Sequence, residues 1–374
     1  MSLYIGLMSG TSMDGVDAAL VSFEDGERPY RIAHLVTAKY PAELRAELAH
    51  AILPDTRLSL HEIASLNISV GRWFAHVTTQ LLDESEFSNK DVVAIGSHGQ
   101  TLRHSPDTDP RYSIQIGDPA TIAVQTAITT VADFRSLDLA AGGQGAPLVP
   151  AFHAAYFRHE HERTIIVNIG GIANITVLPT FPSQAIDGFD TGPGNCLLDE
   201  WISQTLKQPY DDDGRWAASG HVSQKLLNTL MSDEYFQRPA PKSTGREYFN
   251  CAYISAAISA SGLSGIPAED VQATLAEFTA QSIVHGIGAP SAEAERLFIC
   301  GGGVNNGTLV SRLRDLRPGT SVRSTVTQNI DPDAIEAAAF AWLAMQRLKL
   351  NPVRVTTASR ADSARILGAV YEPS

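Results

Sequence analysis

The chain has 374 residues, of which 44% are apolar and 18% charged, and its net charge is −13. That length predicts two domains with a core each, and the mix is globular rather than disordered. The negative charge excludes a nucleic acid duplex or an anionic membrane as partner, so a bound phosphate must be held by local N–H groups or a metal.

Three cysteines, Cys196, Cys251 and Cys300, form neither a disulfide framework nor a CxxC zinc pattern. The first residues lack a basic region and a cleavage pattern. The longest apolar run, residues 337–345, falls far short of the ~20 residues that span a bilayer. A soluble, cytoplasmic protein is the expectation.

LYIGLM (3–8) reads as a short apolar strand, GTSMDG (10–15) as a turn, and VDAALVSF (16–23) as a second strand with Asp17 inside it. IAHLVTAKY (32–40) is a third strand, followed by amphipathic stretches at 41–53 and 59–86. VVAIGSHG (92–99) runs from strand into loop, and SIQIG (113–117) and ITTVADF (128–134) are further strands. Near Arg163 the pattern begins again: TIIVNIG (164–170) is a strand, GIAN (171–174) a turn, ITVLP (175–179) a strand. Helical patterns follow at 194–206, 221–230 and 268–287, with polar loops at 208–215 and 238–248. LFIC (297–300) is a buried strand ahead of GGGVNN and a helix ending near Leu316, and 333–350 is a long helix with an apolar face. Both halves thus open on a strand, a glycine-bearing turn and a second strand. Such turns aim several N–H groups at one point, which suits phosphate oxygens. The repetition suggests duplicated domains facing one another across a cleft.

GTSMDGVD offers Gly10, Thr11 and Ser12 as donors and Asp14 and Asp17 as carboxylates, the groups a kinase needs for phosphate oxygens and Mg²⁺. Asp–Gly is also a plain hairpin signal, and the chain has no GxxxxGK[ST] loop. Gly170 and Gly171 in NIGGIANIT suit a second nest or a bulged hairpin. In FDTGPGN, Asp190 follows a short strand and precedes a Pro193–Gly194 turn into a helix with Asn195 near its cap. A carboxylate there suits a general base, the bland alternative being a turn cap. Gly301, Gly302 and Gly303 permit flat backbone approach to a ring or a phosphate. A dinucleotide fingerprint fails on spacing, because Asn306 stands where glycine is required and Gly307 is one place late. In ADFR and AGGQGAPLVP, Asp133, Arg135 and Gln144 are polar contacts, and Arg135 is suited to grip a carboxylate bidentately. A domain crossover explains those glycines comparably well. His98 in SHGQT sits at a strand end. A hydrolase triad lacks its GxSxG elbow, so a structural or substrate-contact histidine is the commoner reading. Lys242 and Arg246 in PKSTGRE lie in a polar loop whose spacing does not decide their role.

Together GLMSGTSMDGVD, GSHGQT, DFR, AGGQGAPLVPAFH, VNIGGIANIT, GFDTGPGN, PKSTGRE, ICGGGVNN and EAAAFAWLA resemble, in order and spacing, the anhydro-N-acetylmuramic acid kinase family. The resemblance covers nearly the whole chain. One departure is VTTA at 355–358, where the family usually reads VTGA. The resemblance implies an α/β fold of two ribonuclease H-like (actin-like ATPase) domains hinged around a central ATP and substrate cleft. Their expected extents are residues 1–135 plus 353–374, and 136–352. The implied reaction opens the 1,6-anhydro ring of 1,6-anhydro-N-acetylmuramic acid and phosphorylates O6 from ATP. The product is N-acetylmuramic acid 6-phosphate, within peptidoglycan recycling.

Asp190 matches the family's catalytic aspartate and would deprotonate the attacking water. In the implied site, ATP meets Gly10, Thr11, Ser12, Met13, Asp14, Gly15, Val16 and Asp17 from the first half. From the second it meets Gly170, Gly171, Asn174, Gly301, Gly302, Gly303 and Asn305. The sugar meets His98, Gln100, Asp133, Arg135, Gly143, Gln144, Gly192, Asn195 and Glu336. Mg²⁺ is held by Asp14 and Asp17, directly or through water. The family also implies a homodimer. Two rivals are a simple sugar hydroxyl kinase on the same scaffold, which needs no activated water, and an ATP-driven conformational module with no sugar acceptor.

Overall fold

The computed structural model describes residues 2–10, 13, 15–24, 30–53, 55–181, 184–240, 242–289, 294–354 and 364–373. Thr11, Ser12, Asp14 and the VTTA segment lie outside these residues. The chain forms two compact units, residues 1–152 with 329–374, and residues 153–328.

Unit 1 contains β1 (Ser2–Met8), β2 (Val16–Phe23), β3 (Tyr30–Ala38), β4 (Val92–Ser97), β5 (Gln100–Ser105), β6 (Tyr112–Ile116) and β7 (Thr130–Ala132). Unit 2 contains β8 (Arg163–Ile169), β9 (Ile172–Leu178), β10 (Asp187–Pro193), β11 (Glu295–Cys300) and β12 (Ser321–Ser324). The last strand, β13 (Ala369–Tyr371), returns to unit 1 and pairs antiparallel with β7. The main sheet of unit 1 has the order β13-β7-β4-β1-β2-β3, and that of unit 2 β10-β9-β8-β11-β12.

Both sheets follow one plan. In unit 1, β1, β2 and β3 form an antiparallel meander, while β4 lies parallel to β1 and β7 parallel to β4. In unit 2, β8, β9 and β10 repeat the meander, with β11 parallel to β8 and β12 parallel to β11. Each unit therefore reads 3-2-1-4-5, the ribonuclease H-like order, and the duplication expected from the two glycine turns is present.

In unit 1 the helix Leu60–Asp83 starts in a capping box, in which Ser59 accepts from the Glu62 N–H and Glu62 accepts from the Ser59 N–H. It buries Leu66, Val70, Phe74, Val77 and Leu81 among the side chains of β1 and β2. Each of these contributes about 1.5–3 kcal/mol by leaving water.

The helix Ile335–Leu348 also belongs to unit 1, whereas the sequence had placed it in the second domain. The reason is steric. A Cβ on Gly6 of β1 would stand 1.7 Å from the Ala337 carbonyl oxygen, and one on Gly96 of β4 would stand 2.0 Å from that of Phe340. Glycine at these two strand positions lets the helix backbone settle on the sheet, and Ala337, Ala338, Ala341 and Ala344 keep its own side chains short. The units accordingly divide after Phe152 and Gln328, not after 135 and 352.

In unit 2 the helix Ala268–Ile287 is buried along most of its length, including Val271, Leu275, Phe278 and Ile283. Phe278 meets Phe236 edge-on at 5.3 Å between ring centroids, and Tyr235 meets both Phe236 and Phe249 edge-on. No helix among the described residues is long and apolar enough to cross a membrane.

Candidate active site

In unit 1 the turn between β1 and β2 is tied down at both ends. Ser9 Oγ stands 2.9 Å from the Gly15 carbonyl and 2.7 Å from Gln100 Oε1, and its single proton serves one of these acceptors at a time. Tyr40 OH donates to Ser9 Oγ at 3.0 Å, and Gln100 Nε2 donates to the Gly10 carbonyl at 3.3 Å. Gly15 lies against β3, where a Cβ would come within 2.5 Å of the Ala38 carbonyl. Met13 holds a left-handed φ of 54° inside the turn, and Val16 is fully buried at the start of β2. Gln100 is itself fully buried, and its amide braces the turn. Ser9 and Tyr40, which the sequence had left unassigned, complete this network.

Asp17 accepts a hydrogen bond from Thr37 Oγ1 at 2.7 Å. Burial raises its carboxyl above the usual range, and nearby Asp333 raises it further. Burial raises Asp333 as well. Asp333 disfavours the charge of Asp17, and Mg²⁺ needs only one or two carboxylates beside phosphate and water oxygens. No cluster of three or more metal-ligating side chains occurs among the described residues. Asp333 was read from sequence only as the start of a helix.

His98 and Arg135, 37 positions apart, meet at the end of β4. Arg135 NH2 lies 2.8 Å from His98 Nε2, Arg135 Nε donates to the same nitrogen at 3.3 Å, and Arg135 NH1 donates to the Gly145 carbonyl at 2.7 Å. Burial and the adjacent guanidinium push the His98 imidazole down to about 3, so it is neutral at ordinary pH. Burial also lowers Arg135 to about 10, with Glu336 acting in the opposite sense. The loop 142–145 is shaped by Asp138, whose carboxylate accepts from the Gly145 N–H at 2.7 Å and stands where a Cβ of Gly143 would lie. Gln144 Nε2 donates to Asp107 Oδ1 at 3.0 Å. Asp133 is exposed, with a left-handed φ of 54°, and accepts from the Ser136 N–H at 3.3 Å.

In unit 2 the two glycine segments meet each other. A Cβ on Gly301 would stand 2.3 Å from Asn168 Oδ1, and one on Gly303 2.4 Å from the Ile169 side chain. The carbonyls of Gly170 and Gly171 accept from the N–H groups of Asn195 (2.8 Å), Gly194 (2.9 Å) and Cys196 (3.0 Å). Asn195 occupies the cap position of the helix Cys196–Leu206, yet its side chain does not cap it; Nδ2 donates to the Ile169 carbonyl at 3.1 Å. Gly302 and Asn305 are exposed on the short 3-10 turn Gly302–Asn305. Asn306, not Asn305, caps the next helix, accepting from the Leu309 N–H at 3.0 Å. Arg246 lies over the first turn, its Nε 2.7 Å from where a Gly171 Cβ would be.

Asp190 sits inside β10 and not beyond a strand end, which corrects the sequence expectation. Gly192 and Pro193 would ordinarily stop a strand, but β10 is an edge strand and Pro193 is its last residue. The ladder with β9 shifts between Asp190 and Gly192, with Asp190 opposite Asn174. Gly192 has a φ of 146°, and a Cβ there would come 3.0 Å from the Phe236 ring.

Lys242 and Thr244 lie along the free edge of β10 at Asp190. The Asp190 N–H donates to the Lys242 carbonyl at 3.0 Å, and Asp190 Oδ2 accepts from the Thr244 N–H at 3.1 Å. Tyr235 OH donates to the Asp190 carbonyl at 2.6 Å. Lys242 Nζ lies 4.5 Å over the Tyr235 ring and donates to the Tyr235 carbonyl at 2.9 Å. Burial pushes the Asp190 carboxyl up to about 6, Thr244 pulling it back and Glu247 adding to the rise. It is a carboxylate held firmly by its backbone, ionised at neutral pH and more basic than an exposed one. Such a group takes a proton from water effectively.

A sequence model of the family described as "Anhydro-N-acetylmuramic acid kinase" matches residues 2–373. A protein named anhydro-N-acetylmuramic acid kinase from Coxiella burnetii is 45% identical over 368 residues, covering 98% of this chain and 97% of its own. One of the same name from Shewanella baltica is 49% identical over 368 residues, covering 98% of each. Among solved structures, an activator of the 2-hydroxyisocaproyl-CoA dehydratase from Clostridium difficile with bound ADPNP covers 93% of this chain and 96% of its own at 14% identity. Its TM-score of 0.43 is too low to bear on the site.

Proposed function

The chain belongs to the anhydro-N-acetylmuramic acid kinase family, and on that premise we propose that it opens the 1,6-anhydro ring of 1,6-anhydro-N-acetylmuramic acid and phosphorylates O6 from ATP. The product is N-acetylmuramic acid 6-phosphate, a step in peptidoglycan recycling. The observation that carries this assignment is the setting of Asp190: half-buried, fixed by its own backbone, and raised to about 6.

Asp190 takes a proton from water, and the water oxygen bonds to the anomeric carbon. The bond from that carbon to O6 breaks, and O6 takes the γ-phosphoryl group as ATP becomes ADP. An ordinary inverting glycosidase needs a second carboxylic acid to protonate the leaving oxygen. Here phosphoryl capture of O6 removes that need.

The residues expected to meet the phosphate oxygens are Gly10–Asp17 in unit 1, and those expected to meet the rest of the nucleotide are Gly170–Gly171 and Gly301–Gly303 in unit 2. Asp17, with Asp14, would hold Mg²⁺, directly or through water, which when bound supplies positive charge to the phosphates. Among the sugar contacts proposed in unit 1, Arg135, Glu336 and Asp133 are charged, and Gly143 and Gln144 complete the set. A homodimer and a cytoplasmic location belong to the same proposal, supported by the family and by the sparse cysteines.

The test is to mix the protein with ATP, Mg²⁺ and 1,6-anhydro-N-acetylmuramic acid and weigh the sugar product. A gain of one phosphoryl group and one water supports the assignment; a phosphorylated sugar that keeps its anhydro ring, or none at all, refutes it.

A further inference from the structure

We infer that Tyr235 and Lys242 are positioning residues for Asp190, and that the way they hold its backbone leaves Oδ1 as the atom that takes the proton from water. The inference deepens the proposed reaction and rests on it.

The need arises from topology. β10 is the edge of its sheet, and an edge strand presents N–H and C=O groups with no neighbouring strand to pair them. At Asp190 both outward groups find other partners. Its N–H donates to the Lys242 carbonyl at 3.0 Å, and its carbonyl accepts from Tyr235 OH at 2.6 Å. Lys242 Nζ in turn donates to the Tyr235 carbonyl at 2.9 Å. Three hydrogen bonds thus close a ring through Asp190, Lys242 and Tyr235, and the Lys242 ammonium, 4.5 Å over the Tyr235 ring, draws those two side chains together.

Tyr235 has little room to move. The residue is 1% exposed, its ring meets those of Phe236 and Phe249 edge-on at 5.4 and 5.6 Å between centroids, and its N–H donates to Asp233 Oδ1 at 2.8 Å. Tyr248 OH donates to the same Asp233 oxygen at 2.8 Å. Burial raises the Tyr235 hydroxyl above its ordinary range, so it stays protonated and remains a donor.

Tyr235 and Lys242 meet Asp190 through its main chain, so they act on where the carboxylate stands. Oδ2 accepts from the Thr244 N–H at 3.1 Å, and Oδ1 accepts from no donor among the described residues. A carboxylate with one oxygen engaged and the other open receives a proton at the open one. A general base must reach its proton at hydrogen-bond distance, and a misplacement of about 1 Å can cost about a hundredfold in rate.

The test measures kcat and KM for ATP and 1,6-anhydro-N-acetylmuramic acid. Each kcat is counted per nucleotide-binding site from titration calorimetry, so that unfolded protein drops out. Tyr235→Phe keeps the ring and its aromatic contacts and removes only the hydroxyl. It is expected to lower per-site kcat about tenfold or more, with both KM values within about twofold of wild type. Lys242→Met keeps the stem but neither donates nor carries charge. It is expected to lower per-site kcat about threefold or more with the same constancy of KM, and it decides alone if the phenylalanine variant fails to fold. Because both act through one closed ring of bonds, the double variant is expected to lose less than the product of the two single losses. A merely structural role would lower the number of binding sites and leave per-site kcat at the wild-type value. That result, losses that multiply in full, or KM values that rise while kcat holds, overturns the inference. A wild-type protein that transfers no phosphoryl group to the sugar refutes the proposed reaction instead.

Discussion

Replacing Asp190 with asparagine separates the demands of catalysis from those of stability. The Asp190 carboxyl rises from 3.8 to about 6 on folding. A raised acid pKa means that the folded state binds the proton more tightly than the unfolded one. The resulting stabilisation is complete below the unfolded value and is lost as pH rises through the folded one. Above about pH 6 the ionised carboxylate therefore destabilises unit 2, by about 3 kcal/mol at most, and less because the group is partly open to solvent. Asparagine keeps an oxygen for the Thr244 N–H and removes the charge. At about pH 8, Asp190→Asn is expected to raise the thermal midpoint by several degrees, the shift for about 2 kcal/mol in a unit of this size. Near about pH 4, where aspartic acid is also neutral, the two midpoints converge. The same variant is expected to lose turnover and keep its nucleotide affinity. Calorimetry at both pH values decides the matter. A variant less stable than wild type at the higher pH, or shifted equally at both, refutes the idea of a buried charge held for function.

The rate should show the same carboxyl. The acid limb of kcat/KM is expected near pH 6, and Glu247→Gln should move it downward, because Glu247 raises Asp190; a pH–rate profile of both proteins checks this. Gly96→Ala places a Cβ 2.0 Å from the Phe340 carbonyl and should lower stability by at least about 1–3 kcal/mol, read by denaturant unfolding. Gly171→Ala, whose Cβ would stand 2.7 Å from Arg246 Nε, should weaken nucleotide binding with little loss of stability, measured by titration calorimetry. Gln100→Leu removes the acceptor for Ser9 and the donor to Gly10; the KM for ATP should rise more than that for the sugar.

Local signals in the sequence were enough to locate the opening strands of each half and the long helices, because alternation, glycine and capping act over a few residues; the second turn is shorter than the expected 171–174, since residues 172–174 already belong to β9. Contacts between distant segments were not legible. Nothing in FDTGPGN shows that Lys242 and Thr244 lie along Asp190, and nothing in SHGQT shows that Arg135 donates to His98. The strand Gln100–Ser105 went unread because QTLRHS is mostly polar and pairs only with β6. The unit boundary was misplaced because the helix Ile335–Leu348 looks like any apolar helix. The missed clue was Gly6 and Gly96, glycines inside strands, which mark a close backbone approach.

In the proposed reaction water, activated by Asp190, attacks the sugar while phosphate goes to O6. Turnover in water enriched in heavy oxygen, followed by mass analysis of both products, tests it most directly. The label is predicted on the anomeric hydroxyl of the sugar and absent from the phosphoryl group. Label in a phosphate oxygen, or in neither product, would rule out attack by water on the anomeric carbon.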